Sequence, residues 1–324
     1  MTNFERPASP PSPPKGGFNA RHLISIDDLS DAEIHYLLHL SEYYAGYLQR
    51  AEPAPKRLAG KTQINLFFED STRTNLSFEL AGKKLGADII NVPVAASSLH
   101  KGESLIDTAQ TLAAMNADVM IVRAKEVGLH QKLSETLNCV IINGGAGELE
   151  HPTQALLDAA TIRSAFGKIA GLTIAICGDV RHSRVAGSDA RLFTRLGARV
   201  RFVGPTHLMP DADQYREVER RDTLAAGLEN ADIVMGLRMQ FERMGDGAKD
   251  AARGYFEEFG LTHKTIKLAK PGAKVMHPGP MNRGVEIGGA LADDPDRSLI
   301  LRQVFYGVAA RMAVLDAFVT SNKE

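Results

Sequence analysis

The chain has 324 residues, 38 basic against 39 acidic side chains for a formal net charge of −1, and 44% apolar residues. At roughly 100–200 residues per domain, this length predicts two domains that each bury their own core. The charge balance argues against a dedicated nucleic-acid binder, which carries a basic excess, and two cysteines, Cys139 and Cys177, are too few for a disulfide scaffold and fit a reducing compartment.

Residues 1–17 hold five of the fifteen prolines and close on two glycines. Such a composition buries too little surface to offset its ordering entropy, so residues 1–18 are expected to form a disordered tail, with folded sequence starting near Arg21. The tail lacks the apolar segment of a secretory signal, and no apolar run is expected to reach the roughly 18 residues of a membrane span. A cytoplasmic protein without a membrane partner follows as the expectation. Ser30 is the natural N-cap of a first helix, with Asp31 and Glu33 in its first turn and an apolar stripe of Ile34, Leu37, Leu38 and Leu40. Short β-rich runs then alternate with helical stretches at 63–68, 88–92, 118–122 and 139–142, and the scheme repeats at 172–177, 199–203, 233–237 and 273–277. Apolar strands alternating with helices predict an α/β fold. We expect two doubly wound domains, 19–151 and 152–297, each a mostly parallel sheet of four or more strands flanked by helices, with the active site in the cleft between them. Eight strands divide naturally into four and four. A last helix, about 298–320, spaces Leu301, Val304, Phe305, Val308, Met312 and Leu315 by threes and fours. It either caps the second domain or returns to the first.

The densest chemical signal is Phe67-Phe68-Glu69-Asp70-Ser71-Thr72-Arg73-Thr74, where a buried strand feeds a helix that runs to Gly86. A helix start offers unclaimed N–H groups and the positive end of the dipole, and Ser71, Thr72, Arg73 and Thr74 add four side-chain donors, which together make an anion site. Simple capping uses one hydroxyl and leaves an arginine between two threonines unexplained. A guanidinium there suits bidentate phosphate binding. Ser97-Ser98-Leu99-His100-Lys101-Gly102-Glu103-Ser104 reads, on composition, as a solvated connector with a helix cap. Arg123 ends an apolar strand, where open α/β sheets bind ligands. Past Gly144 and Gly145, His151 and Gln154 sit three apart at a helix entrance opened by Pro152. In the second half, Cys177-Gly178-Asp179 lacks the spaced glycines of a dinucleotide turn, and its acid opposes a pyrophosphate. Arg184, Arg238-Met239-Gln240 and His277-Pro278-Gly279-Pro280 instead follow strands as polar, largely cationic ends. Arg73, Lys101, Arg123, Arg184 and Arg238 call for polyanionic ligands, a phosphorylated compound and a carboxylate, since unpaired buried cations cost several kcal/mol each. No spacing suggests a metal site, and no cofactor is expected.

FFEDSTRT, HPTQALLD, LRMQ and HPGPMNRGVEI, in this order, closely resemble the aspartate/ornithine carbamoyltransferase family from about residue 20 to 320, the first two marking the family as a whole. Ornithine-using members typically carry a cysteine where this chain reads His277-Pro278-Gly279-Pro280, and an Asp-x-x-x-Ser-Met-Gly element that is absent here. Arg238-Met239-Gln240 instead resembles the Arg-x-Gln of the aspartate-using members. Two carboxylates suit two forked arginines, whereas ornithine's cationic side chain calls for an acid. The resemblance implies transfer of the carbamoyl group of carbamoyl phosphate to the amine of L-aspartate, an early step of pyrimidine biosynthesis. It implies that Ser71, Thr72, Arg73 and Thr74 hold the phosphate, joined by Ser97 and Lys101 of a neighbouring subunit in a homotrimer. Thr72, Arg123 and His151 would contact the carbamoyl oxygen and Gln154 the carbamoyl amine. Arg184, Arg238 and Gln240 would bind aspartate, with Glu69 positioning those arginines and the backbone at Pro278 and Gly279 accepting hydrogen bonds. A higher assembly with a regulatory chain or a dihydroorotase is left open. The charged stretch 241–260 is the candidate moving loop. Gly279, larger in some members, and Asn75, an arginine in some, depart from the pattern without supplying a side chain to this chemistry. The competing readings are a carbamoyltransferase for another amine such as ornithine, a non-catalytic scaffold paralogue, and a nicotinamide-dependent dehydrogenase.

Overall fold

The computed structural model describes residues 9–92, 103–147, 149–239 and 248–321. The chain divides into two compact units, one of residues 1–160 with 305–324 and the other of 161–304.

In the first unit, α1 (Asp31–Gln49) starts from a capping box in which the Ser30 hydroxyl accepts from Glu33 N and the Glu33 carboxylate accepts from Ser30 N. There follow β1 (Thr62–Phe67), α2 (Thr72–Leu85), β2 (Asp88–Val92), α3 (Leu105–Ala113), β3 (Val119–Ala124), α4 (Leu129–Thr136) and β4 (Val140–Ala146). The strands form one parallel sheet in the order β2-β1-β3-β4. Ile64, Leu66, Met120, Val122 and Ile141 pack with Ala109, Leu129 and Leu133 of the helices, each large side chain contributing about 1.5–3 kcal/mol of burial. The edge strand β2 is the exception, with Ile90 left 44% exposed. α5 (Pro152–Phe166) and α10 (Ile300–Ser321) carry the chain out of this unit and back.

Ordered contacts begin earlier than Arg21. Phe18 is buried with its ring 4.8 Å from that of Phe318, and the amides of Asn19 and Ala20 donate to Glu33 Oε1 at 2.8 and 3.0 Å. Residues 9–17 contain no helix or strand. α10 also corrects an expectation, because by length and composition it is apolar enough to cross a membrane, yet 72% of that window is buried inside the fold. It is a core helix, and it carries buried charge. Asp316 accepts from the Tyr44 hydroxyl at 2.7 Å and from Arg57 Nε at 3.0 Å.

The second unit contains β5 (Thr173–Cys177), α6 (Arg184–Arg195), β6 (Arg199–Val203), β7 (Glu219–Arg221), α7 (Leu224–Leu228), β8 (Ile233–Gly236), α8 (Ala248–Phe259), β9 (Lys274–Met276) and α9 (Gly289–Ala292). Its parallel sheet has five strands, within the expected four or more and one beyond the apolar runs counted in the sequence, in the order β7-β6-β5-β8-β9. The additional strand, Glu219-Arg220-Arg221, has no apolar residue to announce it. It is a half-buried edge held by pairing with β6 and by an Arg201–Glu219 ion pair at 2.9 Å.

Strand order reverses direction once in each sheet, between β1 and β3 in the first and between β5 and β8 in the second. At such switch points the connecting helices leave on opposite faces, and a crevice opens beyond the carboxyl ends of the strands. Ser71–Thr74 and Arg123 fall at the first of these places and Arg184 and Arg238 at the second, while His151 and Gln154 follow the outer strand β4 and Pro278 and Gly279 the outer strand β9.

Candidate functional site

At the first switch point, the parallel register sets Phe67 beside Arg123. The turn leaving β1 therefore passes the end of β3, and Glu69 Oε2 lies 3.2 Å from Arg123 Nε, both side chains largely buried. A second tie, from the Arg123 guanidinium to Gly144 O at 3.1 Å, fixes the fork against the end of β4. One partner of Glu69 is thus Arg123 of its own unit.

Helix α2 begins immediately after. Ser71 is its N-cap by position, but its side chain makes no capping hydrogen bond. The hydroxyls of Ser30, Ser104, Ser183 and Thr223 all accept from backbone N–H groups at the starts of their own helices. Capping therefore does not account for the hydroxyl cluster here. Thr72 and Arg73 are exposed, Ser71 is half-buried and Thr74 is buried. Asn75 has a tethering function, its Oδ1 accepting from Asn65 of β1 at 3.3 Å. A cavity of about 380 Å³ opens beside the turn, lined by Glu69, Ser71, Thr72, Asn75, Glu79 and Asn91 among others.

β4 leads into α5 through the segment that holds His151, which is 4% exposed and whose carbonyl accepts from Gln154 N at 2.9 Å. Gln154 is buried one turn in, and its Nε2 donates to both carboxylate oxygens of Asp158 at 3.1 and 3.0 Å. Behind these residues lies Arg311 of α10, 3% exposed, bonded to Gly307 O at 3.2 Å and Thr153 Oγ1 at 3.5 Å and stacked 5.0 Å over the Phe78 ring. Burial pushes its guanidinium from 12.5 down to about 9, with Asp158 acting to hold it up, so it is cationic at neutral pH.

At the second switch point, Gly178 has φ +134°, and a Cβ there would meet Leu237 O at 2.9 Å. Glycine is required for the turn after β5 to pass the end of β8. Asp179, 1% exposed, accepts from His182 N at 3.3 Å and lies 2.9 Å from His182 Nδ1. Ser183 caps α6 through Ala186 N, and Arg184 is the first helical residue. Arg184 and Arg238 are both half-buried. The Arg238-Met239 segment is tied to the loop after β9, since Glu286 accepts from Met239 N at 3.5 Å and from Asn282 N, and Asn282 Nδ2 donates to Met239 O at 3.3 Å. His277 Nδ1 accepts from Gly279 N at 2.9 Å, and its Nε2 is 3.4 Å from Glu286 Oε1. Pro278 and Gly279 are half-buried, and Gly279 takes φ +67°, a conformation that a larger residue there would strain.

Ser97, Lys101 and Gln240 lie outside the described residues, as do residues 241–247 of the stretch expected to move. Residues 248–259 of that stretch are helix α8 instead of a loop. The sequence reading passed over Asp158, Arg311 and Glu286. Asp158 had a visible cue, its i+4 spacing from Gln154; Arg311 and Glu286 reach their partners only through tertiary packing. Among the described residues, no group of three His, Cys, Asp or Glu could hold a metal ion.

Residues 21–164 match the family model "Aspartate/ornithine carbamoyltransferase, carbamoyl-P binding domain", and residues 170–318 match "Aspartate/ornithine carbamoyltransferase, Asp/Orn binding domain". The chain is 52% identical over 317 residues to the aspartate carbamoyltransferase catalytic subunit of Gluconacetobacter diazotrophicus, covering 98% of this chain and 97% of that one. With the same subunit of Gluconobacter oxydans it is 55% identical over 298 residues, 91% and 95% of the two chains. The aspartate transcarbamoylase of Trypanosoma cruzi, solved with carbamoyl phosphate, superposes with a TM-score of 0.84 at 32% identity, over 93% of this chain and 96% of that one. The ornithine carbamoyltransferase of Pyrococcus furiosus superposes with a TM-score of 0.85 at 28% identity, over 94% and 98%. With both halves matched and relatives above 50% identity along nearly the whole length, this chain belongs to the aspartate/ornithine carbamoyltransferase family.

Proposed function

We propose that the chain transfers the carbamoyl group of carbamoyl phosphate to the amine of L-aspartate, releasing N-carbamoyl-L-aspartate and phosphate, an early step of pyrimidine biosynthesis. Its close relatives carry the name of this activity, and a T. cruzi neighbour is solved with carbamoyl aspartate and phosphate. The observation that carries the choice of acceptor is the charge at the second switch point. Arg184 and Arg238 are the half-buried cations of these turns, while the acids described there, Asp179 and Glu286, are 1% exposed and engaged with His182 and with Met239, Asn282 and His277. Among the described residues, these turns suit a dicarboxylate better than the ammonium of ornithine.

In this reading the uncapped start of α2 receives the phosphate through Ser71, Thr72, Arg73 and Thr74. Thr72, Arg123 and His151 donate to the carbamoyl oxygen, Arg123 held in place by Glu69, and Gln154 accepts from the carbamoyl amine. Arg184, Arg238 and Gln240 take the aspartate carboxylates. The backbone carbonyls at Pro278 and Gly279 accept from the incoming amine. The neutral amine of aspartate attacks the carbamoyl carbon. Negative charge then builds on the carbamoyl oxygen of a tetrahedral intermediate, where each donor is worth roughly 10²–10³ in rate. The C–O bond to phosphate breaks, and the departing phosphate takes up the proton released by the amine. No protein nucleophile takes part. Burial pushes the Cys139 thiol up to about 11 and the Cys177 thiol higher still, so neither is a thiolate at neutral pH.

We further propose a homotrimer in which Ser97 and Lys101 serve the neighbouring subunit's phosphate site. Leu76 and Leu80, 57% and 43% exposed one turn apart on α2, lie in sequence close to the edge strand residue Ile90, and all three are unusually exposed for their size.

Labelled carbamoyl phosphate offered with aspartate or with ornithine tests the assignment. Product is expected with aspartate alone, and turnover confined to ornithine overturns it. A scaffold paralogue predicts no binding of a bisubstrate mimic that joins a phosphonate to aspartate, and a dehydrogenase predicts nicotinamide binding by fluorescence titration. For the trimer, inactive Arg73→Ala and Lys101→Ala chains are mixed and reassembled. Partial recovery of activity is expected, and none in confirmed mixed trimers refutes shared sites.

A further inference from the structure

The buried cluster behind Gln154 has no part in the reaction as described, yet it holds two formal charges in the interior of the first unit. Asp158 is 0% exposed and Arg311 is 3% exposed. Charges so placed are costly unless paired and hydrogen-bonded. Asp158 accepts from the side-chain amide of Gln154 through both carboxylate oxygens, at 3.1 and 3.0 Å.

An ionised carboxylate has acceptors only, so the group facing it must be the NH2 end of the amide. Without that partner, the last torsion of a glutamine is broad and nearly two-fold, and NH2 and oxygen exchange places at little cost. With it, the amide is fixed in one sense, and Oε1 is the end not spent on Asp158. A fixed acceptor recognises an N–H and disfavours an isosteric methyl group, because the buried oxygen is then left without a donor.

This lock works only while Asp158 stays ionised. A carboxyl buried alone would protonate and become a donor, reversing the selection. The guanidinium of Arg311 supplies the compensating charge from α10. Its bond to Thr153, the residue preceding Gln154, places it against the first turn of α5. Gly307 leaves room for that guanidinium, since a Cβ at 307 would lie 3.0 Å from Arg311 Nη1.

We propose that Asp158, which accepts two bonds from the Gln154 amide, is a positioning residue that locks that amide with its oxygen toward the ligand and so selects a carbamoyl phosphate over an acyl phosphate. The proposal rests on Gln154 meeting the carbamoyl amine, as in the reading above.

The test compares carbamoyl phosphate with acetyl phosphate, which carries a methyl group in place of the amine. The KM for carbamoyl phosphate and the inhibition constant of acetyl phosphate against it are measured at saturating aspartate. Wild type and Asp158→Asn are compared as full-length chains. The asparagine variant is expected to raise the KM about tenfold, the worth of one lost hydrogen bond to a fixed acceptor, and to leave the acetyl phosphate constant within about twofold. The double variant Asp158→Asn/Arg311→Met removes both charges together, leaving neither buried alone. It repeats the measurement where the single variant does not fold, and the same loss of preference is expected. In a Gln154→Met background, Asp158→Asn is expected to change the ratio no further. A ratio that stays at the wild-type value, with both constants rising together or neither moving, overturns the proposal and leaves Asp158 a packing residue. Absence of any carbamoyl transfer by the wild-type chain would instead refute the functional reading beneath it.

Discussion

Two strand-to-helix junctions of the same design, β1 into α2 and β5 into α6, have been put to different ends. Each leaves the carboxyl end of a parallel strand at the switch point of its sheet. At α6 the helix start is satisfied from within, Ser183 capping Ala186 N while Asp179 accepts from His182 N. At α2 the Ser71 side chain makes no capping hydrogen bond, although Ser71 stands in the capping position. The first turn of α2 therefore presents backbone donors and a positive dipole end to the phosphate site proposed above, and a phosphate takes many donors at once. The α6 junction offers chiefly the side chain of Arg184, which suits one carboxylate fork. Capping state, more than the residues present, tells the two apart, and α1 marks the other extreme with a full capping box.

The largest effect should follow from removing the cation of the open junction. Arg73→Ala is expected to lower kcat/KM for carbamoyl phosphate by about 10²–10³. Because Arg73 is exposed, the thermal midpoint should stay within a degree or two of the wild type. A large drop in that midpoint would mean that Arg73 supports the fold. At the closed junction, Arg184→Ala should raise the KM for aspartate about 10- to 100-fold, the worth of a charge-assisted pair, with the carbamoyl phosphate constants little changed in steady-state assays. Equal damage to both substrates would erase the division of labour between the junctions.

Much of this was legible before any coordinates. Each apolar run that predicted a strand, from 63–68 to 273–277, corresponds to one, because strands covered on both faces are apolar, the exposed edge β2 being the exception. The edge strand at Glu219–Arg221 was hidden for the converse reason, being charged, three residues long and held by backbone pairing. Phe18 was misjudged with its proline-rich surroundings, since one aromatic finding a pocket beside Phe318 leaves no local pattern. At the site, Ser71, Thr72, Arg73 and Thr74 stood out because four donors at a helix start exceed what capping needs. Whether Ser71 spends its hydroxyl on the helix depends on backbone geometry, which composition does not carry. The support from Arg311 to the first turn of α5 spans 158 positions and came into view only with the fold.

The capping contrast can be isolated with matched serine variants. Ser183→Ala should cost about 1 kcal/mol of stability in denaturant unfolding, the usual worth of a cap. Ser71→Ala removes no cap and should leave stability within about 0.3 kcal/mol, well under that worth, while slowing carbamoyl transfer. Equal stability losses would mean that Ser71 caps α2 in solution.

The smallest effect belongs to α1, where the junction is wholly internal. Burial alone would raise the pKa of Glu33, but bonds from the Ser30 amide and hydroxyl and from the Asn19 and Ala20 amides outweigh it and hold the carboxyl below its ordinary value of 4.5. A carboxylate whose pKa is depressed by folding adds stability that is complete above the unfolded value and disappears as pH falls through the folded one. Glu33→Gln keeps the shape and an acceptor oxygen but removes the charge, so it should cost about 0.5 kcal/mol, a typical charge–dipole contribution at a helix start. The stability gap between wild type and variant should be constant from pH 8 to about 5 and close at lower pH, once the wild-type carboxyl is protonated in both states. Urea melts at pH 7, 5, 4 and 3 would register this, and a gap that persists or widens in acid would show that the helix start draws on the shape of Glu33 and not on its charge.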